Sequence, residues 1–222
     1  MKGNNEIASK VAEYLLQIKA VKLSPQKPFQ WSSGLFSPIY CDNRLILSYP
    51  SLRTFIRQKF VDIINEHFGK ADVIAGVATG GIAHGVLVAQ EFGLPFVYVR
   101  PEPKKHGLSN AIEGFIEKGQ SVIVIEDLIS TGGSSLRAIE HLKEADCIIK
   151  GMVSIFTYNF KIASDAFKKN KLQVYSLSNF NELIQVALNK EYITELDFNL
   201  LKEWQEDPEE WSEKIKNNNA SS

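Results

Sequence analysis

The chain has little cysteine and no recognisable targeting or membrane-spanning segment. Cys41 and Cys147 are its two cysteines, and they form neither a CxxC pair nor a set of metal ligands. Two isolated cysteines do not make a disulfide framework, so we expect reduced thiols. Residues 1–6 lack the apolar core of a signal peptide, and no apolar run approaches the ~20 residues needed to cross a bilayer. We therefore expect a cytoplasmic protein that does not associate with membranes.

The sequence also lacks an excess of charge of either sign. Its 25 lysines and arginines and 26 aspartates and glutamates give a net charge of −1. This balance gives no electrostatic support for a nucleic-acid-binding surface, so a small molecule is the expected partner. The 222 residues are 44% hydrophobic and 23% charged, which is typical of one soluble globular domain.

Two common nucleotide-binding motifs are absent. The sequence contains neither GxxxxGKS or GxxxxGKT, the triphosphate-binding loop, nor GxGxxG, the dinucleotide fingerprint. It contains instead Val-Ile-Val-Ile at 122–125, which predicts a fully buried strand. Leu136, Ile139 and Leu142 follow at helical spacing and predict an amphipathic helix. The central feature of the sequence is therefore a strand, a polar turn and a helix.

The turn consists of small hydroxyl residues and glycines, namely Ser130, Thr131, Gly132, Gly133 and Ser134. The first N–H groups of a helix have no intrahelical partner, and the positive end of the helix dipole lies behind them. Glycines let the backbone approach a ligand, and hydroxyls can donate to its oxygens. The turn therefore predicts a phosphate-binding loop.

An acidic pair, Glu126 and Asp127, stands at the predicted end of this strand, immediately before the loop. Carboxylates beside a bound phosphate would repel it unless they faced sugar hydroxyls or a Mg²⁺ ion. A sugar phosphate would supply both a phosphate for the loop and hydroxyls for the carboxylates. The alternative is an ordinary strand-to-helix turn with surface acids.

Strands and helices are predicted to alternate from residue 72 onward. The predicted strands cover residues 72–76, 95–100, 122–125, 148–156 and 172–177, with helices at 82–92, after residue 134 and at 163–168. This alternation predicts an α/β fold with a parallel sheet covered on both faces. Thr79, Arg100 and Glu126 would then lie at the carboxyl ends of strands, where such sheets bind ligands.

We expect one domain, which consists of an N-terminal helix and hairpin (1–70), the α/β core (71–178) and C-terminal helices (179–216). A disordered tail is expected at 217–222. The first part should contain a helix over 5–19, two short strands within 28–44 and a helix from Pro50 to about Gly69. Asp207 followed by Pro208 predicts the start of the last helix. On chemistry alone, the hairpin could equally be only a lid over the core.

Three motifs resemble those of the orotate phosphoribosyltransferases, and the resemblance covers nearly all of the chain. They are the hairpin from Trp31 to Arg44, the segment from Arg100 to Gly107 and the acidic turn from Glu126 to Ser135. The acidic turn alone would fit many phosphoribosyltransferases. The resemblance implies the type I phosphoribosyltransferase fold, a parallel twisted sheet flanked by helices with a small N-terminal hood. It also implies transfer of the phosphoribosyl group of phosphoribosyl pyrophosphate (PRPP) to orotate, giving orotidine 5′-monophosphate and pyrophosphate in pyrimidine synthesis.

The resemblance also implies which residues bind PRPP. They are Thr79, Gly80, Arg100, Lys104, Lys105, His106, Glu126, Asp127, Ser130, Thr131, Gly132, Gly133 and Ser134. In this scheme the loop at 79–80 cradles pyrophosphate, the acidic pair holds the ribose hydroxyls, and the loop at 130–134 holds the 5′-phosphate. Lys104, His106 and Asp127 are the implied catalytic residues. Outside this family context, the run at 104–106 would be interpreted as a solvated charge cluster.

Orotate, a cofactor and a second subunit complete the implied site. The implied orotate contacts are Ser33, Gly34, Tyr40, Arg44 and Ser130. Mg²⁺ is the implied cofactor, held mainly by PRPP, with Asp127 as the candidate protein ligand. The family's catalytic loop reaches the active site of the other subunit, which implies a homodimer.

The sequence departs from the family pattern at several cationic positions. Many members carry lysine where Ser32 and Gly80 stand, a basic residue at Pro101, and an orotate-contacting arginine near Thr157. Fewer cations then face the substrates, and Arg44 is the candidate replacement on the orotate side.

Two other functions remain open at this stage. A phosphoribosyltransferase for another base would share the PRPP residues and differ in the hairpin. A PRPP-binding regulator would need a basic DNA-binding module, which the first seventy residues lack. A second, decarboxylating barrel would need on the order of 200 further residues.

His67, His84 and His141 lack acidic or cysteine partners at metal-ligand spacing and are expected to be ordinary surface or core residues.

Overall fold

The computed structural model describes residues 2–31, 34–101 and 111–220, with the backbone alone at 2–4 and 218–220. The chain forms two compact units. The first combines both ends of the chain, Met1–Ile46 and Ser178–Ser222, and the second is the middle segment Leu47–Leu177.

The second unit contains most of the α/β alternation. Its elements are α2 (Pro50–His67), β5 (Val73–Val77), α3 (Gly80–Phe92), β6 (Phe96–Val99), β7 (Ile112–Glu113), β8 (Ser121–Ile129), α4 (Gly133–Glu144), β9 (Ile148–Thr157), α5 (Lys161–Lys169) and β10 (Val174–Asn179), the last of which ends in the first unit. The strands form one six-stranded sheet in the order β10-β9-β8-β5-β6-β7. Strands β9, β8, β5 and β6 are parallel neighbours, and β7 pairs antiparallel with β6. The predicted α/β sheet is therefore confirmed.

The strand order reverses between β5 and β8. From β5 the chain crosses to β6 on one side, and from β8 it crosses to β9 on the other side. Helices that follow two such strands leave the sheet in opposite directions, so a crevice opens at the carboxyl ends of the strands. The two segments that follow β5 and β8 carry most of the predicted PRPP residues.

Strand β8 is longer than its sequence pattern predicts. Residues 122–125 are buried on both faces, as their branched apolar side chains require. Pairing with β9 then continues through Leu128 opposite Phe156 and Ile129 opposite Thr157. The acidic pair predicted at the strand's end lies in the last part of the strand, which extends to Ile129 because β9 also pairs with Glu126, Leu128 and Ile129.

The core beneath this strand is formed by the faces of the sheet and by α4 and α5. Ala138, Ile139 and Leu142 of α4 pack against sheet residues such as Val124, and Phe167 of α5 joins the same cluster. Full burial of one such leucine or isoleucine stabilises the fold by roughly 1.5–3 kcal/mol. This packing fixes the direction in which α4 leaves the phosphate loop.

The first unit is built from elements at both ends of the chain. They are α1 (Lys2–Gln17), β1 (Val21–Leu23), β2 (Phe29–Gln30), β3 (Phe36–Ser37), β4 (Ile39–Cys41), α6 (Phe180–Asn189), α7 (Glu195–Glu206) and α8 (Pro208–Ala220). A 3-10 helix at Asn43–Ser48 leads into the second unit. Strands β2 and β3 form the predicted antiparallel hairpin, and β1 pairs with β4.

Hydrogen bonds and aromatic packing hold the two ends together. The Ser178 hydroxyl donates to the Ala8 carbonyl over 2.8 Å, and the Phe36 N–H donates to the Ser212 hydroxyl over 2.9 Å. Trp204 is fully buried and meets the ring of Trp31 edge to face at 6.0 Å. The C-terminal helices therefore complete the core of the N-terminal segment.

The C-terminal tail and two short strands differ from the sequence predictions. Helix α8 continues to Ala220, so the tail predicted to be disordered from residue 217 is helical through that residue. The short strands β1 and β7 were not predicted, because two or three residues are too few to show a period. Among the described residues, no helix combines the length and apolar composition that a membrane crossing requires.

Candidate active site

Two helix N-termini face the crevice at the strand-order reversal. Helix α3 begins at Gly80 directly after Thr79, and α4 begins at Gly133 directly after Gly132. Neither N-terminus has a side chain that caps its N–H groups. Each therefore presents backbone donors and a positive dipole end to an anion, which is the arrangement predicted for the turn at 130–134 and also occurs at Thr79.

The α3 loop and β8 approach each other closely at Gly80 and Gly81. A Cβ atom on Gly80 would overlap the carboxyl group of Asp127, and one on Gly81 would overlap the carbonyl oxygen of Ile125. The Asp127 carboxyl thus lies against the first residue of α3. A lysine at position 80 would require Asp127 to move, which gives a physical reason for the absence of a cation there.

The α4 loop is shaped by Gly132, whose φ of +80° lies in the left-handed region. A Cβ atom there would come within 2.8 Å of the Phe167 ring. Both the backbone conformation and the packing on α5 therefore require glycine. Ser130 is half-buried, whereas Thr131 and Ser134 are exposed at the rim of the loop.

Glu126 points into the protein interior. Its side chain is 4% exposed, and its carboxyl accepts hydrogen bonds from the Ser135 hydroxyl at 2.9 Å and from the Asp127 N–H at 3.1 Å. These bonds favour the charged form, but burial and then the negative charge of Asp127 outweigh them and raise the pKa of Glu126 well above its usual value. Glu126 therefore supports the first turn of α4 from below.

Asp127 is less buried than Glu126, although the two carboxyls still interact. It is half-buried and lies beside Gly80 of the 79–80 loop, three residues before the 130–134 loop. Of the two acids, Asp127 is the one placed to meet a ligand in the crevice.

An open cavity of about 530 Å³ borders this region, and its walls include Thr79, Tyr98, Arg100, Ser134 and Arg137. Arg100 lies at the end of β6, with its Nε atom 3.4 Å from the Glu113 carboxyl of β7. Sequence reasoning missed Arg137. Its position four residues after Gly133 was an available signal, because helical side chains at this spacing reach back over the preceding turn.

The structure brings together one part of the predicted site. Within the second unit, Thr79, Gly80, Arg100, Glu126, Asp127 and the 130–134 loop lie at the carboxyl ends of neighbouring strands. Lys104, Lys105 and His106 lie outside the described residues, as does Ser33. Gly34, Tyr40 and Arg44, predicted to contact orotate, belong to the first unit.

These three hairpin residues have distinct settings. Gly34 has a φ of +84° in the turn where the Trp31 N–H donates to the Leu35 carbonyl at 2.9 Å. Tyr40 is 41% exposed, with its ring 5.9 Å from that of Phe29. Arg44 donates to both carboxyl oxygens of Asp42, at 2.7 and 2.9 Å, and these bonds lower the pKa of Asp42.

The sequence matches one protein family over the second unit and beyond. Residues 46–190 match the family described as the phosphoribosyl transferase domain. This range contains both helix N-termini of the crevice, the acidic pair and the cavity arginines.

Curated proteins named orotate phosphoribosyltransferase are similar to the chain over most of its length. The protein from Phocaeicola vulgatus is 54% identical over 200 residues, which are 90% of this chain and 94% of the relative. The protein from Listeria innocua is 51% identical over 205 residues, which are 92% of this chain and 98% of the relative.

Solved structures show the same fold. The UMP synthase of Leishmania donovani matches with a TM-score of 0.74 at 24% identity and covers 89% of this chain, which spans 42% of that longer protein. The orotate phosphoribosyltransferase of Aeropyrum pernix matches with a TM-score of 0.71 at 24% identity, covering 83% of this chain and 99% of that one.

Proposed function

The chain belongs to the phosphoribosyltransferase family, among the orotate phosphoribosyltransferases, and we propose that it transfers the phosphoribosyl group of PRPP to orotate. The products are orotidine 5′-monophosphate and pyrophosphate, and the reaction serves pyrimidine nucleotide synthesis. Overall identity above 50% to relatives of that name supports the choice of orotate.

One structural observation carries the proposal, which is the pair of uncapped helix N-termini with Asp127 against the first of them and three residues before the loop of the second. PRPP has a phosphate at one end and a pyrophosphate at the other, with two hydroxyls on the ribose between them. Two anion-binding loops separated by a carboxylate match that order of groups. We assign pyrophosphate to the 79–80 loop with Arg100, and the 5′-phosphate to the 130–134 loop.

The reaction exchanges one bond at C1 of the ribose for another. The C1–O bond to pyrophosphate breaks and its electron pair leaves with pyrophosphate, while a ring nitrogen of orotate forms the new C1–N bond. The backbone N–H groups at Thr79 and Gly80 and the guanidinium of Arg100 stabilise the charge that develops on the leaving group. Asp127 is our candidate to hold the ribose hydroxyls and to accept the proton that orotate loses.

Mg²⁺ is the cofactor that we propose, with Asp127 as its protein contact. Mg²⁺ is commonly held by one or two carboxylates together with substrate phosphate oxygens, and the half-buried Asp127 beside a phosphate-type loop is a donor of that kind. When bound, Mg²⁺ would supply positive charge to the pyrophosphate of PRPP. Among the residues described, no cluster of three or more histidine, cysteine or acidic side chains could hold a metal by itself.

Lys104, Lys105 and His106 are proposed to complete the charge neutralisation from a loop of the partner subunit in a homodimer. Closing such a loop would also exclude water, which would otherwise hydrolyse PRPP. Ser33, Gly34, Tyr40, Arg44 and Ser130 remain the proposed orotate contacts. We propose the cytoplasm as the site of action, since Cys41 and Cys147 are both thiols.

The loss of orotate's ultraviolet absorbance on mixing with PRPP, Mg²⁺ and purified protein tests this proposal, with uracil and hypoxanthine as parallel substrates. We expect consumption of orotate alone. Asp127→Asn should lower kcat by about a hundredfold or more, because it removes the carboxylate that faces the substrate.

Glu140→Gln, the same acid-to-amide change at an exposed position of α4, should leave the rate unchanged. If the protein consumed uracil or hypoxanthine instead of orotate, that base would replace orotate as the proposed substrate. Tight PRPP binding without turnover of any base would instead indicate a PRPP-binding regulator.

A further inference from the structure

Arg137 is a second arginine on the wall of the crevice cavity, in addition to Arg100. It shares the wall with Ser134, whereas Thr79 and Arg100 come from the other phosphate-type loop and from β6. Its Nη1 atom lies 3.5 Å from the point that a Cβ atom on Gly133 would occupy. The guanidinium therefore lies directly over the first residue of α4.

This position is electrostatically unfavourable for a cation in the protein alone. A positive side chain near a helix N-terminus opposes the positive end of the helix dipole. The first turn of α4 contains no acidic residue, and Arg137 makes no ion pair or hydrogen bond with any residue that the structure describes. A guanidinium, uncapped N–H groups and the exposed Ser134 hydroxyl are thus donors that meet at one place.

We propose that Arg137 binds the 5′-phosphate of PRPP, an inference that rests on the proposed function. A planar guanidinium presents two parallel N–H donors, which suit two oxygens of one phosphate group. Arg137 is assigned to the 5′-phosphate because it lies over Gly133 and beside Ser134, within the loop that follows β8. Arg100 adjoins the other loop and is assigned to pyrophosphate.

The position of Arg137 does not depend on the missing side chain of Gly133, because a Cβ atom there would be in ordinary van der Waals contact with Nη1 at 3.5 Å. The Arg137 side chain is exposed, so it can adjust to a phosphate without disturbing the core. Arg137 is therefore a specificity-determining residue for the phosphorylated end of the sugar, separate from the groups that act at C1.

Two probes that each carry one end of PRPP test the inference, ribose 5-phosphate and pyrophosphate. Their dissociation constants are measured by titration calorimetry for the natural protein, Arg137→Gln, Arg137→Lys and Lys143→Gln. Arg137→Gln should weaken ribose 5-phosphate binding about tenfold to a hundredfold, as expected for loss of a charged hydrogen-bonding group, and leave pyrophosphate binding within twofold. Arg137→Lys should recover part of the affinity, and Lys143→Gln, which removes a charge from the last turn of the same helix, should change neither constant.

Kinetics in the reverse direction provide a second readout. Arg137→Gln should raise the KM for orotidine 5′-monophosphate by the same factor, with KM for pyrophosphate and kcat nearly unchanged. Unchanged binding of ribose 5-phosphate, or equal weakening of both probes, would overturn the inference. A protein that binds both probes as expected but does not consume orotate would refute the proposed function and leave the role of Arg137 intact.

Discussion

At the scale of single residues, neighbouring side chains of the same type differ because their surroundings differ. Glu126 is buried against Ser135 and supports α4, whereas Asp127, one residue later, lies beside Gly80 at the crevice. Arg100 has Glu113 as a partner at 3.4 Å, whereas Arg137 follows a first helical turn that contains no acidic residue. The chemistry that each residue can perform follows from these contacts and could not be assigned from residue type alone.

His84 on α3 gives a residue-scale prediction about pH. It is buried, edge to face with Phe60 at 6.5 Å, and burial followed by the positive charge of Arg53 lowers its pKa to about 4, from 6.5. Between pH 6.5 and about 4, the unfolded chain therefore binds a proton at His84 that the folded protein does not bind. The free energy of unfolding is thus highest above pH 6.5 and falls as the pH is lowered through this window. The loss should be on the order of 3 kcal/mol.

Urea denaturation of the natural protein and His84→Gln at pH 7 and pH 4.5 measures this effect. The free energy of unfolding should fall less between the two pH values in His84→Gln. His141→Gln, which changes a histidine paired with Glu144 at 3.0 Å, should keep the natural dependence. Equal pH dependence in His84→Gln and the natural protein would contradict the assignment.

At the scale of elements, strong sequence patterns predicted the structure well and short ones did not. The buried strand at 122–125 and the apolar stripe of α4 are confirmed, because each involves several apolar residues in one continuous or periodic pattern. The two-residue strand β7 and the last four residues of β8 depend on partner strands that the local sequence does not reveal. Likewise, the Gly80 contact with Asp127 joins residues far apart in the chain, so no local pattern could have indicated it.

Gly132 gives an element-scale prediction, because Gly119 provides a matched control. Both glycines have left-handed backbones, with φ of +80° and +85°, but a Cβ atom would meet Phe167 at the first and open space at the second. Gly119→Ala should cost about 1 kcal/mol of stability from backbone strain alone. Gly132→Ala should cost about 2–4 kcal/mol, because overlap with Phe167 adds to that strain.

The two variants should also differ in substrate binding. Gly132→Ala distorts the phosphate loop and should raise the KM for PRPP, whereas Gly119→Ala should leave it unchanged. Chemical denaturation and initial rates measure the two effects. If both variants lost the same stability and kept the same KM, the packing of α5 would not shape the loop.

At the scale of the whole molecule, the residues predicted to contact PRPP and orotate lie in two different units of the chain. The proposed PRPP contacts within the described residues belong to the middle of the chain, whereas Gly34, Tyr40 and Arg44, the proposed orotate contacts, belong to the unit that both chain ends form. The proposed loop residues at 104–106 would come from a second copy of the chain. The proposal therefore assigns the orotate contacts mainly to one unit, the PRPP contacts mainly to the other, and Lys104, Lys105 and His106 to a second copy of the chain.

Subunit mixing tests the homodimer and its shared sites. Lys104→Ala and Asp127→Asn proteins, each nearly inactive alone, are mixed and refolded together or allowed to exchange. If the loop acts on the partner's site, each mixed dimer contains one intact site, and random pairing should restore about a quarter of the natural activity. If the loop acts within its own subunit, the mixture should stay as inactive as its components.

The most direct test of the whole account is ³¹P nuclear magnetic resonance of PRPP during turnover with Mg²⁺ and orotate. Transfer to orotate predicts that the PRPP signals decay into one nucleotide monophosphate signal and one pyrophosphate signal at equal rates, and only when orotate is present. Formation of ribose 5-phosphate and pyrophosphate with orotate left unconsumed, or PRPP that remains intact with folded protein, would contradict it.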